Sequence, residues 1–387
     1  MDILRIRSDF PALKEWTYLD TSFMGLYPLQ VRQGYEEFLD RWMQFKVAMG
    51  KTVLSEWLEK GEIVRNKVAS FIGATRDEIA FTTSTGCGLN IVINGISWSK
   101  GDNVVFPEWE HNPTDTMTLR RHGIQVRTVK PKGGRVELDD LEKVIDDRTK
   151  LVQVSQVAYT NGFRFNLKKV GEIAHEHGAG LLVDGTQAIG ALLTNVKDEN
   201  VDFFSAAPYK YLMGPAGLAF LYVRQDRLDD LIPDRVGWKN QIWEGERAER
   251  LSESGEAGGK FEYGTLHYQG MYGLERSLEY ISRIGLENVE SRILELSNYL
   301  WNRLNDLAFD MYTPESTKSP IVSFFHPDAT MTAAKLMEEK VKVSGRPTHG
   351  GHIRVSTHFY NTNEDIDHFI ERLMYVRSGL KRGKATL

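Results

Sequence analysis

The stretch 181–217 reads LLVDGTQAIGALLTNVKDENVDFFSAAPYKYLMGPAG, and it decides both fold class and candidate chemistry. Leu181–Asp184 is a short apolar strand that ends on a carboxylate. Val201–Ala207 is a second strand, followed by Tyr209-Lys210 and the turn Gly214-Pro215-Ala216-Gly217. Strands apolar along their whole length are buried on both faces, as in a parallel sheet covered by helices. Ligands in open α/β sheets sit at the carboxyl ends of strands. An acid and a lysine delivered to two such ends are therefore candidates for chemistry. Each has a plain alternative: Asp184 caps the next helix, and Lys210 is a solvated surface lysine. A lysine beside a buried strand and a Gly/Pro turn is poorly placed for solvation. Burial lowers its pKa, which suits a Schiff-base nucleophile.

The same alternation extends outward. Strands are expected at 78–83, 103–106, 123–129, 151–157 and 218–223, with helices over 28–70, 89–95 and 167–176. This order predicts a mainly parallel sheet between helical layers. After a polar, glycine-rich segment at 237–264, long helices are expected at 271–284 and 286–306. Short strands near 320–326, 341–345 and 352–356, with helices between, predict a smaller α/β unit. The expected division is a large domain at 17–284 and a small one from 1–16 and 285–387. A segment as long as 237–264 is commonly functional. Its Trp238, Trp243 and Tyr263 suggest a cover over the cleft, with a surface excursion as the rival.

Composition narrows the classes. Of 387 residues, 41% are hydrophobic and 26% charged, which supports a folded core. Lys and Arg number 48 against 53 Asp and Glu, so there is no basic excess to drive nucleic-acid or anionic-membrane binding. The single cysteine, Cys87, excludes an intramolecular disulfide and multi-cysteine metal sites; no metal is expected. No apolar h-region opens the chain and no run reaches membrane-spanning length, so a cytoplasmic protein is expected.

Several motif matches fail. Met49-Gly50-Lys51-Thr52 resembles the end of a phosphate-binding loop, but Phe45 stands where the upstream glycine is required. Gly86-Cys87-Gly88 lacks the third glycine of a dinucleotide fingerprint, because Ile91 stands there. His175-Glu176-His177 lacks the spacing of a zinc-protease helix. Thr82–Gly88 (TTSTGCG) is stronger, because it sits at a strand-to-helix junction where backbone N–H groups bind phosphate. Its plain rival is an ordinary capped helix start.

A phosphate cup, a strand-end acid and a lysine 26 residues later form the arrangement expected of pyridoxal 5'-phosphate (PLP) enzymes. Here VDGTQAIG at 183–190 and YKYLMGPAG at 209–217 are specific. From Tyr18-Leu19-Asp20 to about Leu373 the chain resembles the class V aminotransferases of fold type I, the group with cysteine desulfurases, kynureninase-like hydrolases and isopenicillin N epimerase-like enzymes. The resemblance implies a seven-stranded-type sheet in the large domain, PLP as cofactor, a small amino-acid substrate and a homodimer with the site at its interface. By position, it implies that Lys210 holds PLP and that Asp184 pairs with the pyridine nitrogen. Gln187 would touch the phenolic oxygen and His111 would stack on the ring. Thr85 and Gly86, with Cys87 beside them, would form the phosphate cup, and Tyr209 would line the cofactor. Thr265 would reach a phosphate across the dimer, and Arg354 would grip the substrate α-carboxylate. Residue-level rivals stay open: a polar loop contact for His111, a helix-start contact for Gln187, a structural ion pair for Arg354.

Departures from the family matter. Desulfurases carry a cysteine on a loop shortly before the carboxylate arginine, whereas 343–352 here reads VSGRPTHGGH. Desulfuration through a protein persulfide is therefore not expected. Tyr209 stands where desulfurases have His, Ala207 where they often have a phosphate-binding Ser, and Tyr159, a candidate substrate contact, where they have Asn. Transamination needs no residue beyond Lys210 and is the expected reaction. A β-lyase or an epimerase is the alternative, the latter needing a second acid, with Tyr159, Tyr209 and His349 as candidates.

Overall fold

The computed structural model describes residues 1–111, 119, 123–244, 247–251 and 254–384; for 243, 244, 247–250 and 379–384 it describes the backbone only. Asn112 of the Glu110-His111-Asn112 segment and the Trp243 side chain lie outside the described residues.

Seven strands form the main sheet: β1 (Ile79–Thr82), β2 (Asn103–Pro107), β3 (Gln125–Val129), β4 (Thr149–Ser155), β5 (Gly180–Asp184), β6 (Phe203–Ala206) and β7 (Ala219–Val223). Their order is β1-β7-β6-β5-β4-β2-β3, and only β7 runs against the rest. Apart from the edge strand β3, whose Gln125 and Thr128 are exposed, the strands alternate between two buried faces. Phe81, Val105, Val152, Leu181 and Phe204 enter one core, while Ala80, Val104, Leu151, Leu182 and Phe203 enter the other. This period of two explains why the strands read as unbroken apolar runs.

The register places Ser155, Asp184 and Ser205 in one row across β4, β5 and β6. Ser205 Oγ donates to Thr85 O at 3.0 Å and ties helix Thr85–Gly95 to the sheet beside that row. A Cβ on Gly88 would lie 2.3 Å from Ser205 Oγ, so Gly88 serves close helix–sheet packing.

A second sheet, in the order 321–325, 352–356, 344–346, is antiparallel. Helices Leu286–Asp306, Ala329–Glu338 and Asn363–Lys384 accompany it, and Leu300, Phe324, Leu336, Ile353 and Phe369 share its core. The N-terminal segment divides its packing. Phe10 and Leu13 join the core of the main sheet, while Thr17–Tyr18 pairs with Val341–Lys342.

One sequence expectation needs correction. The helical stretch 28–70 is two helices, Leu29–Met43 and Val53–Phe71. Thr52 and Ser55 form a capping box at the second start, which spends Thr52 on helix initiation. Within the polar segment 237–264, Gln241–Glu244 and Arg247–Leu251 pair as an antiparallel hairpin, and Ala257–Phe261 is a helix. No helix among the described residues is long and apolar enough to cross a membrane.

Candidate active site

A cavity of about 260 Å³ opens at the carboxyl ends of β4, β5 and β6, against the N-terminus of helix Thr85–Gly95. Eight of the residues singled out from the sequence line it: Thr85, Gly86, His111, Tyr159, Asp184, Gln187, Tyr209 and Lys210. Topology gathers them. Asp184 is the last residue of β5, Lys210 follows β6, and Thr85 and Gly86 open the helix after β1.

Lys210 is placed by its backbone. Gly25 N donates to Tyr209 O at 2.9 Å, and a Cβ on Gly25 would sit 2.0 Å from Lys210 O. Only glycine lets the N-terminal segment approach this closely. The Lys210 side chain is buried, at 8% exposure. Burial pushes its pKa down to about 7, and the Arg354 guanidinium pushes the same way, against a partial offset from Asp184. The amine is thus substantially unprotonated near neutral pH, as a nucleophile or base must be.

Around it, Asp184 Oδ1 accepts the Thr186 N–H at 2.9 Å, and Thr186 and Thr85 share a hydroxyl–hydroxyl hydrogen bond of 2.6 Å. Gln187 Nε2 donates to Ser22 O at 3.0 Å, while its buried Oε1 has no hydrogen-bond partner among the described residues. An unsatisfied buried amide oxygen is costly and points to a missing donor. His111 stands edge-on to the Tyr159 ring, with centroids 4.8 Å apart.

Three predicted residues lie off the cavity wall. Cys87 N donates to Ser84 Oγ, the helix N-cap, and its thiol accepts from Arg235 at 3.3 Å. Thr265 is exposed in the single chain. Arg354 is buried at 1% exposure behind Tyr159, donating to Tyr159 O at 2.8 Å and lying 3.8 Å from Asp20. Its Nε has no partner among the described residues, and burial lowers its pKa to about 10. Of the expected cleft cover, Trp238 and Tyr263 do not line the cavity of the single chain.

Two neighbours escaped the sequence reading. Glu110 accepts both the N–H and the hydroxyl of Ser155 on the cavity wall. Burial raises its pKa to about 8, and Asp184 adds to the rise. The signal was faint: an acid beside His111, with its serine partner 45 residues away. Arg346 acts electrostatically on both Lys210 and Arg354.

A mainly parallel seven-stranded sheet, a strand-end acid and a buried, deprotonation-prone lysine define a PLP-dependent enzyme of fold type I. The residues present suit that cofactor: an amine able to condense with an aldehyde, a carboxylate, a side-chain amide, and hydroxyls at a helix N-terminus. The family model described as aminotransferase class-V matches residues 17–369. The chain belongs to that family. It is 31% identical over 385 residues to a probable cysteine desulfurase of Methanothermobacter thermautotrophicus, covering 93% of this chain and 94% of that one. It superposes with a TM-score of 0.88 on a cysteine desulfurase from Thermococcus onnurineus, at 28% identity over 97% of this chain and 98% of the other. A cystine C–S lyase variant with glycine covalently linked to its PLP cofactor gives a TM-score of 0.87 at 24% identity, over 95% and 98% of the two chains.

Proposed function

We propose that this PLP-dependent class V enzyme moves the amino group of an α-amino acid, with Lys210 as both anchor and proton carrier. One observation carries the reading: the Lys210 amine is buried and held at a pKa of about 7, with an acid and a guanidinium on either side. When bound, PLP supplies an electron sink for the charge left when the substrate α-carbon loses its proton. Asp184 would hold the pyridine nitrogen protonated, because an ionised neighbour favours the charged form. The Gln187 amide would turn its Nε2–H to the phenolic oxygen, His111 would cover one ring face, and Thr85, Gly86 and Thr186 would contact phosphate. Arg354 would pair with the substrate carboxylate by a small movement of its free edge. The released Lys210 amine would take the α-proton and return it to the carbon on the far side of the substrate nitrogen, two atoms along, which needs no second acid. Relocation of that proton is what separates transamination from racemisation.

The second reading is elimination of a β-sulfur group, and it rests on the relatives' names. The Thr348–Gly351 loop before Arg354 has no thiol, so sulfur would leave without passing through a protein persulfide. The assay separates the two. With L-amino acid plus a 2-oxo acid, transamination moves nitrogen to the acceptor. With S-substituted cysteine and no acceptor, elimination yields pyruvate, ammonia and a free thiol. Nitrogen transfer to the acceptor is expected; acceptor-independent pyruvate would overturn it. A homodimer that brings Thr265 to its partner's site, and a cytoplasmic location, complete the proposal.

A further inference from the structure

We infer that the substrate carries a second carboxylate, and that Arg346 is the residue that selects it. The inference rests on the proposed amino-acid chemistry but not on which reaction follows.

The antiparallel register pairs Ser344 with Arg354 and Arg346 with His352. Cross-strand partners share a face, and residues two apart on one strand do as well. Ser344, Arg346, His352 and Arg354 therefore lie on one side of the sheet, with the two arginines on a diagonal of roughly 7–8 Å. Both converge on Tyr159, which lines the cavity. Arg354 donates to its carbonyl at 2.8 Å, and the Arg346 guanidinium lies 5.8 Å from the centre of its ring. Tyr159 in turn contacts His111, so one aromatic ring separates the Arg346 head from the cavity.

The charge count is unbalanced. Arg354 lies 3.8 Å from Asp20 Oδ1, and Lys342 lies 3.4 Å from Asp20 Oδ2. Ser344 Oγ donates to the same carboxylate at 2.7 Å. One acid thus serves two cations, and the half-buried Arg346 makes no ion pair with any described residue. Its positive charge depresses the pKa of its neighbours: Arg346 acts on Lys210, on Arg354 and on His352, the last lowered to about 4 by burial first. A substrate α-carboxylate on Arg354 would neutralise one guanidinium. The other stays unpaired unless the ligand brings a second anion. A planar guanidinium takes a carboxylate bidentately, giving strength and orientation together.

The test uses unreactive four-carbon ligands, so it reads binding alone. Holoenzyme is titrated calorimetrically with succinate and with butyrate. Wild type is expected to bind succinate at least about tenfold more tightly. Arg346→Met should remove that preference while leaving butyrate within about twofold, and Arg346→Lys should restore part of it. Equal wild-type affinities overturn the inference without any variant, and so does an undiminished succinate preference in Arg346→Met. Retention of the visible cofactor band shows that each variant is folded. Failure of the underlying reading looks different: borohydride would then fix no cofactor onto Lys210, whatever the succinate preference.

Discussion

Two buried charge clusters in this molecule behave in opposite ways. In one, Arg65 of helix Val53–Phe71 is clamped by Glu262 through bonds of 2.6 and 3.1 Å. Glu262 also takes the Phe81 N–H at 2.7 Å and pairs with Lys239. Burial opposes both charges, yet each partner more than offsets it: the Arg65 pKa ends above its ordinary value and that of Glu262 below. In the other, Lys210 and Arg354 are as deeply buried, but both pKa values end below the ordinary range. Asp184 and Asp20 do not compensate them. A satisfied buried pair belongs to the fold, whereas cations left short of anions await a ligand. Segment 237–264 supplies Lys239 and Glu262 to the satisfied cluster.

This contrast has consequences that can fail. The largest is at Lys210. Lys210→Ala should abolish the borohydride-reducible link between cofactor and protein and reduce turnover by at least about a thousandfold. Its cofactor-free form should melt no lower than wild type, since an uncompensated amine has been removed. A clear fall in melting temperature would assign Lys210 to the structural class. Next comes Glu262→Ala, which strands Arg65 without its partner. Denaturant unfolding should show a loss of about 3–5 kcal/mol; a loss below about 1 kcal/mol would erase the distinction between the clusters.

The smallest effect is in pH. For Lys210 the ordinary pKa is 10.5 and the folded value about 7, so between these limits the unfolded chain holds the proton more often. Stability of the cofactor-free protein therefore rises with pH across that window, and this contribution is lost as pH falls back through about 7. The slope contributed by one group is at most about 1.4 kcal/mol per pH unit. Lys210→Met should flatten the wild-type curve by up to that amount, and an unchanged slope would mean that the amine is solvated.

How much was readable without coordinates depended on range. Helices Leu167–Glu176 and Leu286–Asp306 fall where periodicity placed them, because an apolar stripe and local end signals act within a few residues. The break at 44–52 was hidden in a stretch whose apolar spacing runs on either side of it. The Asp184–Lys210 relation was visible because both sit in one continuous stretch and the rules for parallel sheets say where strand ends meet. Cys87 was drawn towards the cup by its neighbours. The helix begins at Thr85 with Ser84 as its cap, which takes the Cys87 N–H and leaves the thiol against Arg235.

The linear order of residues determined the alternation of strands and helices, the burial of the sheet on both faces, and the acid and lysine at adjacent strand ends. Those properties follow from side-chain period and local backbone preference. Tertiary structure alone decided which charges found partners. Glu262 reaches Arg65 across 197 positions, and Arg346 reaches Tyr159 only through the register of an antiparallel pair. Electrostatic energy depends on distance and burial, neither of which is defined until the chain has folded.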